Sequence, residues 1–118
     1  MEGRPINSYR DLDVWQEAMS LAAGCYRHTQ MYPKAELFGL TSQIRRSSSS
    51  IAANIAEGHG REHTGYFVQF LRIAQGSLME LETHLLLSQR VGIATAPEAD
   101  PLIAQCESVG RMIRALIR

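Results

Sequence analysis

The sequence predicts an all-α protein, an up-down-up-down bundle of four helices. Three observations carry that expectation. Apolar residues recur at spacings of three and four over four stretches. Glycine and proline punctuate the gaps between them, so the connections are short. No stretch of useful length alternates apolar and polar residues as a strand does. The 118 residues suit a single domain, 1–118, long enough to bury roughly two-thirds of its unfolded surface without disulfides or metal.

Residues 1–10 read as an irregular arm, because Pro5 and Asn7-Ser8 discourage an early helix. Helix 1 is expected over about 12–31. Asp11 or Asp13 can cap it, and Leu12, Trp15, Met19, Ala22, Tyr26 and Thr29 fall on its main stripe. Val14, Ala18, Leu21 and Cys25 form a narrower stripe beside the first. Tyr32-Pro33 marks the end, since a residue before proline is pushed out of the helical region. Helix 2, about 36–57, carries Leu40, Ile44, Ser48, Ile51 and Ile55 on one face. Ser47 to Ser50, Ala52, Ala53 and Ala56 keep its other faces almost free of bulk, which suits a close helix crossing. Gly58 and Gly60 are expected to end it.

Helix 3, about 64–90, follows with Thr64 as its cap and a stripe of Phe67, Leu71, Ala74, Leu78, Leu81, Leu85 and Ser88. Phe70, Ile73 and Ser77 give it a second apolar edge. If the chain reverses near Gly60, Ile51 lies level with Phe70 and Ser47 with Ala74, so that small residues meet at Ser47, Ser48, Ala74 and Gly76. After Gly92 a loop leads to helix 4, about 100–117, with Asp100 as cap and Pro101 at the first helical position. Leu102, Cys106, Val109, Ile113 and Leu116 form its stripe.

Composition limits the function. Twelve Lys and Arg balance twelve Asp and Glu, which argues against a strongly basic nucleic-acid or membrane-surface protein. Eleven of the twelve cations are arginine, however, and arginine suits bidentate contact with carboxylate or phosphate. Cys25 and Cys106 lack CxxC spacing and read as small core residues. The polar start and the absence of a long apolar run suggest the cytoplasm and no membrane partner.

The residues that could carry chemistry cluster on helices 2 and 3. Asn54, Glu57, Glu80 and Glu82 flank the apolar stripes near Arg45, Arg46 and Arg72, and are read as polar core or interface groups compensated by arginine. Glu57, His59 and His63 gather at the turn, but Gly60 breaks the continuous helix that an HxxxH ligand pair needs, so no metal is assigned. Gly58-His59-Gly60-Arg61 before a helix resembles a phosphate cradle, yet it lacks the lysine and the preceding strand of a nucleotide-binding fold. No catalytic residue and no cofactor is assigned.

Certain strings resemble a known pattern. They are Leu12-x-Val14-Trp15-Gln16, Pro33, Gly39-Leu40-x-x-Gln43-Ile44-Arg45-Arg46, Asn54-Ile55-Ala56-Glu57-Gly58-x-Gly60-Arg61 and Gly76-Ser77-x-x-Glu80-Leu81-Glu82-Thr83. Together they resemble small bacterial four-helix-bundle proteins encoded, among other places, in intervening sequences of large-subunit ribosomal RNA genes. The resemblance spans about residues 9–92 in register and helix 4 loosely. It implies a ring assembly, a homo-pentamer. It also implies RNA or DNA as a partner, since one basic branch serves retroelement reverse transcriptases, although this chain is neutral.

The expectation from all these features is a non-enzymatic oligomeric scaffold or binding module, with Arg45, Arg46, Arg61 and Arg72 as the nucleic-acid contacts. The alternative is a small-molecule or metal-dependent enzyme with a polar site between helices 2 and 3. A deep polar pocket with converging carboxylates marks the enzyme, and an arginine-lined concave surface marks the binder.

Overall fold

The structure, a computed structural model, describes residues 5–118, so the first four positions of the expected arm lie outside the described residues. Among the described residues there are four α-helices and no strand. They are α1 (Asp13–Thr29), α2 (Leu40–Gly60), α3 (Thr64–Arg90) and α4 (Ala96–Ile117). Each packs on the next, and α4 closes against α1, giving the up-down-up-down bundle. Leu21, Ile44, Ile51, Ile55, Leu71, Leu78, Leu81, Leu85, Val109 and Ile113 fill its centre with no solvent contact of consequence.

The narrower stripe of α1 is the one buried throughout. Val14, Ala18, Leu21 and Cys25 all face the core, whereas of the expected main stripe Ala22 and Thr29 are buried and Met19 and Tyr26 are 44% and 45% exposed. The slim stripe faces inward because α1 approaches α4 closely: a Cβ at Gly24 would lie 2.9 Å from the Leu102 side chain. The bulky stripe then lies over the alanine-rich flank of α2, at the surface.

Capping groups place the helix ends differently from the expected ones. The N-cap of α1 is Leu12, without a side-chain cap, while Ser8 and Asp11 cap a 3-10 turn over Tyr9–Asp11 instead. Glu36 closes a separate 3-10 turn, Lys34–Glu36, and accepts from the Leu40 N–H at 3.1 Å, so α2 starts at Leu40. At α3 the cap is His63, whose Nδ1 accepts from the Gly65 N–H at 3.2 Å. α4 begins at Ala96, because Thr95 and Glu98 form a reciprocal capping box. Pro101 therefore falls inside the helix, on its exposed side.

The largest correction concerns the α2–α3 register. Helix α2 runs through Gly58 and Gly60, and the left-handed residue of the turn is Glu62, at φ 56°. The chain thus reverses later than Gly60. Gly58, not Ile51, lies against Phe70, and the Ser50 and Ser77 hydroxyls share a hydrogen bond of 2.9 Å. Ser47, Ser48 and Ala74 are buried as expected of a seam, but a Cβ at Gly76 would meet nothing within 4 Å.

These two glycines give opposite predictions. A Cβ at Gly58 would lie 2.6 Å from the Phe70 Cβ, so Gly58→Ala should destabilise the fold by about 1–3 kcal/mol, the cost of overpacking. Gly76→Ala, in open space within a helix, should stabilise it by roughly 0.5–1 kcal/mol. Chemical denaturation of both variants checks the pair; equal midpoints would contradict the close crossing.

Candidate functional site

Helix α2 directs its arginines to different neighbours. Arg45 reaches α1, where its Nε donates to Thr29 Oγ1 at 2.9 Å and its guanidinium lies 4.9 Å from the centre of the Tyr26 ring. Arg46, one residue on, turns toward α3, donating to Gln43 Oε1 at 2.8 Å and forming an ion pair with Glu80. One turn further, the Ser50–Ser77 bond is backed by Asn54, whose amide donates to the Ser50 carbonyl at 2.8 Å and to its hydroxyl at 3.0 Å. The polar groups of this seam therefore satisfy one another, as half-buried groups must.

At the end of α2, Glu57 and Arg61 pair at 3.1 Å across one turn. The Arg61 guanidinium also lies 5.3 Å from the Phe70 ring and 5.9 Å from that of Tyr66. His59 sets its edge against Phe67, and His63 against Tyr66. The glycine-containing segment is thus occupied by aromatic packing and capping, with Gly58 buried. Among the described residues no group of three or more His, Cys, Asp or Glu converges as metal ligands. His28 bonds the Tyr32 hydroxyl at 2.9 Å, and His84 Nδ1 bonds the Glu80 carbonyl at 2.9 Å; both rings are half-buried. Both cysteines are fully buried. Burial pushes the Cys25 thiol up to about 12, against a hydrogen bond with Ser48 that acts in the opposite sense.

Glu82 does not join the arginines of α2. It faces α4, beside Glu107, Arg111 and Arg114. Partial burial and then the Glu107 charge raise its carboxyl above the usual range. The structure thus brings Arg46 to Glu80 and Arg61 to Glu57, and leaves Arg72 on the far side of α3 without a carboxylate partner among the described residues.

Arg72 has neighbours that reading α2 and α3 alone misses. With Gln75 of α3 and Arg114, Ile117 and Arg118 at the end of α4, it lines a concave surface of about 470 Å³. The signal for it lay in the spacing: Arg111, Arg114 and Arg118 are three and four residues apart, hence on one helical face. A second concavity, also about 470 Å³, lies between α1 and α2. Trp15, Met19 and Tyr26 form its walls, and Ala22, Ala23, Ser49, Ala52, Ala53 and Ala56 its floor. On α3, Ile73, Met79, Leu86 and Leu87 stand 43–51% exposed.

A family model for 23S rRNA-intervening sequence proteins matches residues 10–115. A crystal structure of a protein of unknown function from the S23 ribosomal protein family of Bacteroides thetaiotaomicron superposes with a TM-score of 0.80. It is 23% identical and covers 89% of this chain and 98% of that one. No curated protein matches the chain.

Glu82 supplies a pH test. Its raised pKa means that the folded state holds the ionised carboxylate less well than the unfolded chain does. The penalty is present at neutral pH and disappears as pH falls through the raised value toward the ordinary one. Glu82→Gln should therefore stabilise the protein at pH 7, by about 0.5 kcal/mol or less for so solvated a pair. The gain should shrink as pH falls through that range and be gone by about pH 3, where both states are protonated; thermal melts at the two pH values check it.

Proposed function

The chain belongs to the 23S rRNA-intervening sequence protein family, and on that premise we propose that it acts as a non-enzymatic, self-associating scaffold. The observation that carries this reading is the apolar concavity between α1 and α2. Met19 and Tyr26 stand 44% and 45% exposed beside an alanine floor there, next to the half-buried Trp15, which Tyr9 meets edge-on. Contiguous apolar surface of this kind marks an interaction site more often than a free face. The chain offers its own counterpart, since α3 turns Ile73, Met79, Leu86 and Leu87 outward.

Contact between the α1–α2 face of one copy and the α3 face of the next is head-to-tail, and a head-to-tail contact closes into a ring when its rotation permits. Five copies is the number that the family resemblance implies. The polar seam between α2 and α3 favours this reading over the enzymatic one. Arg46, Glu80, Ser50, Ser77 and Asn54 are engaged with one another. Of the four arginines expected to meet nucleic acid, Arg46 and Arg61 are ion-paired, which leaves Arg45, held over Tyr26, and Arg72 to supply the charge of such a band. The proposed setting is the cytoplasm; no helix among the described residues is long and apolar enough to cross a membrane.

Light scattering at micromolar concentration should return a multiple of the 13.2 kDa chain mass, five on the ring reading. Ala53→Arg, which places a cation on the floor of the concavity, should shift the mass toward the monomer while circular dichroism stays helical. A parent protein that scatters as a monomer overturns the proposal. So does an Ala53→Arg variant of unchanged mass, for the surface named.

A further inference from the structure

We propose that the concave surface between α3 and the end of α4 is a binding site for clustered phosphate groups. This inference does not depend on self-association. It rests on how the structure sorts its arginines. Two of them, Arg46 and Arg61, are neutralised by carboxylates, and Arg45 donates to Thr29 and lies over an aromatic ring. Arg72, Arg114 and Arg118 line one cavity of about 470 Å³ and have no carboxylate within ion-pair distance among the described residues; Arg114 also borders the neighbouring cleft that holds Glu82 and Glu107. Three like charges around one concavity repel one another, and an anion between them relieves that repulsion.

The chemistry of the lining selects the anion. Guanidinium groups present planar forks of N–H donors that match the oxygens of phosphate, and they are weakly hydrated enough to exchange water for such an oxygen. Gln75 adds an amide that can donate alongside them, and Ile117 gives the floor an apolar face. The three arginines come from two helices, Arg72 from α3 and Arg114 and Arg118 from α4. A ligand with several adjacent phosphates can engage both sides at once, where one carrying a single charge cannot. Two sources share this chemistry: a soluble oligophosphate and the phosphodiester chain of a single-stranded nucleic acid.

The test uses the full chain, titrated with inorganic tripolyphosphate in one arm and with oligouridine of about ten nucleotides in the other. Arg72→Gln and Arg114→Gln should each weaken binding roughly tenfold, the scale of one lost charge-assisted hydrogen bond. Arg27→Gln, an exposed position on α1 outside the cavity, should not. For the oligonucleotide, three phosphate contacts at about 0.7 of a counterion each predict a loss of about twentyfold between about 50 and 200 mM salt. Binding in both arms with this arginine dependence supports the site for oligophosphate generally. Binding of the oligonucleotide alone, with the same dependence, supports it for the phosphodiester chain. If neither ligand binds at millimolar concentration, or if binding ignores Arg72 and Arg114, the proposal is overturned. All three substituted positions are exposed, and retained helical circular dichroism separates a lost contact from a lost fold.

Discussion

Most of what distinguishes this bundle depends on the absence of one Cβ. Gly58 lets α2 come against Phe70 so closely that any other side chain there would collide with it. The approach holds α2 helical through Gly60 and moves the reversal of the chain to Glu62. The register that follows sets Ser50 opposite Ser77 and Arg46 opposite Glu80. A helix pair one turn out of this register would separate those partners and cost the part-buried Ser50–Ser77 bond, about 0.5–1.5 kcal/mol, while Arg46 and Glu80 would turn to water. The close crossing and the polar pairs thus select the same alignment, which is the mutual consistency expected of a sequence with one native state.

The serine run of α2 shows how a polar residue can serve as a small apolar one. Ser47 donates to the Gln43 carbonyl at 2.7 Å, and Ser48 and Ser49 each donate to the Arg45 carbonyl at 3.0 Å. Hydroxyls that bond back to their own helix need no partner elsewhere. Ser47 and Ser48 are completely buried on that basis. The arginines follow a related logic, in which position decides chemistry. The same residue type forms an ion pair, stacks on an aromatic ring or stands free, according to the helix face it occupies.

The helical spacing, the glycine and proline punctuation and the core stripes of α2 and α3 made the bundle legible in the sequence, because each reports a local property. Three things were not legible. The inward stripe of α1 was misread because two stripes of equal period lie side by side, and only the tight α1–α4 approach at Gly24 selects the slimmer one. The start of α4 was misplaced because Asp100-Pro101 imitates a helix start, while the stronger signal was the Thr95-x-x-Glu98 box. The register was missed because Gly58 was read as a terminator, and nothing local says whether a glycine ends a helix or admits a neighbour. The candidate site suffered from that last error. Arg46 with Glu80 is a pairing visible in residue type but not in position, whereas Glu57 and Arg61, four residues apart, pair along one continuous helix. The Arg72–Arg114–Arg118 concavity joins residues more than forty positions apart along the chain.

The floor of the α1–α2 concavity bears on how reversible an attachment there would be. Ala22, Ala23, Ala52, Ala53 and Ala56 have no rotamers to lose, so covering them incurs no side-chain ordering cost. That cost falls instead on Trp15, Met19 and Tyr26. Tyr26 is already partly held by the Arg45 guanidinium over its ring, and of the three walls only the unbranched, flexible Met19 has several rotamers open to it. A surface whose freedom is spent before contact releases little entropy on parting. Its lifetime is then set by the apolar area that must be re-wetted rather than by side chains regaining their freedom.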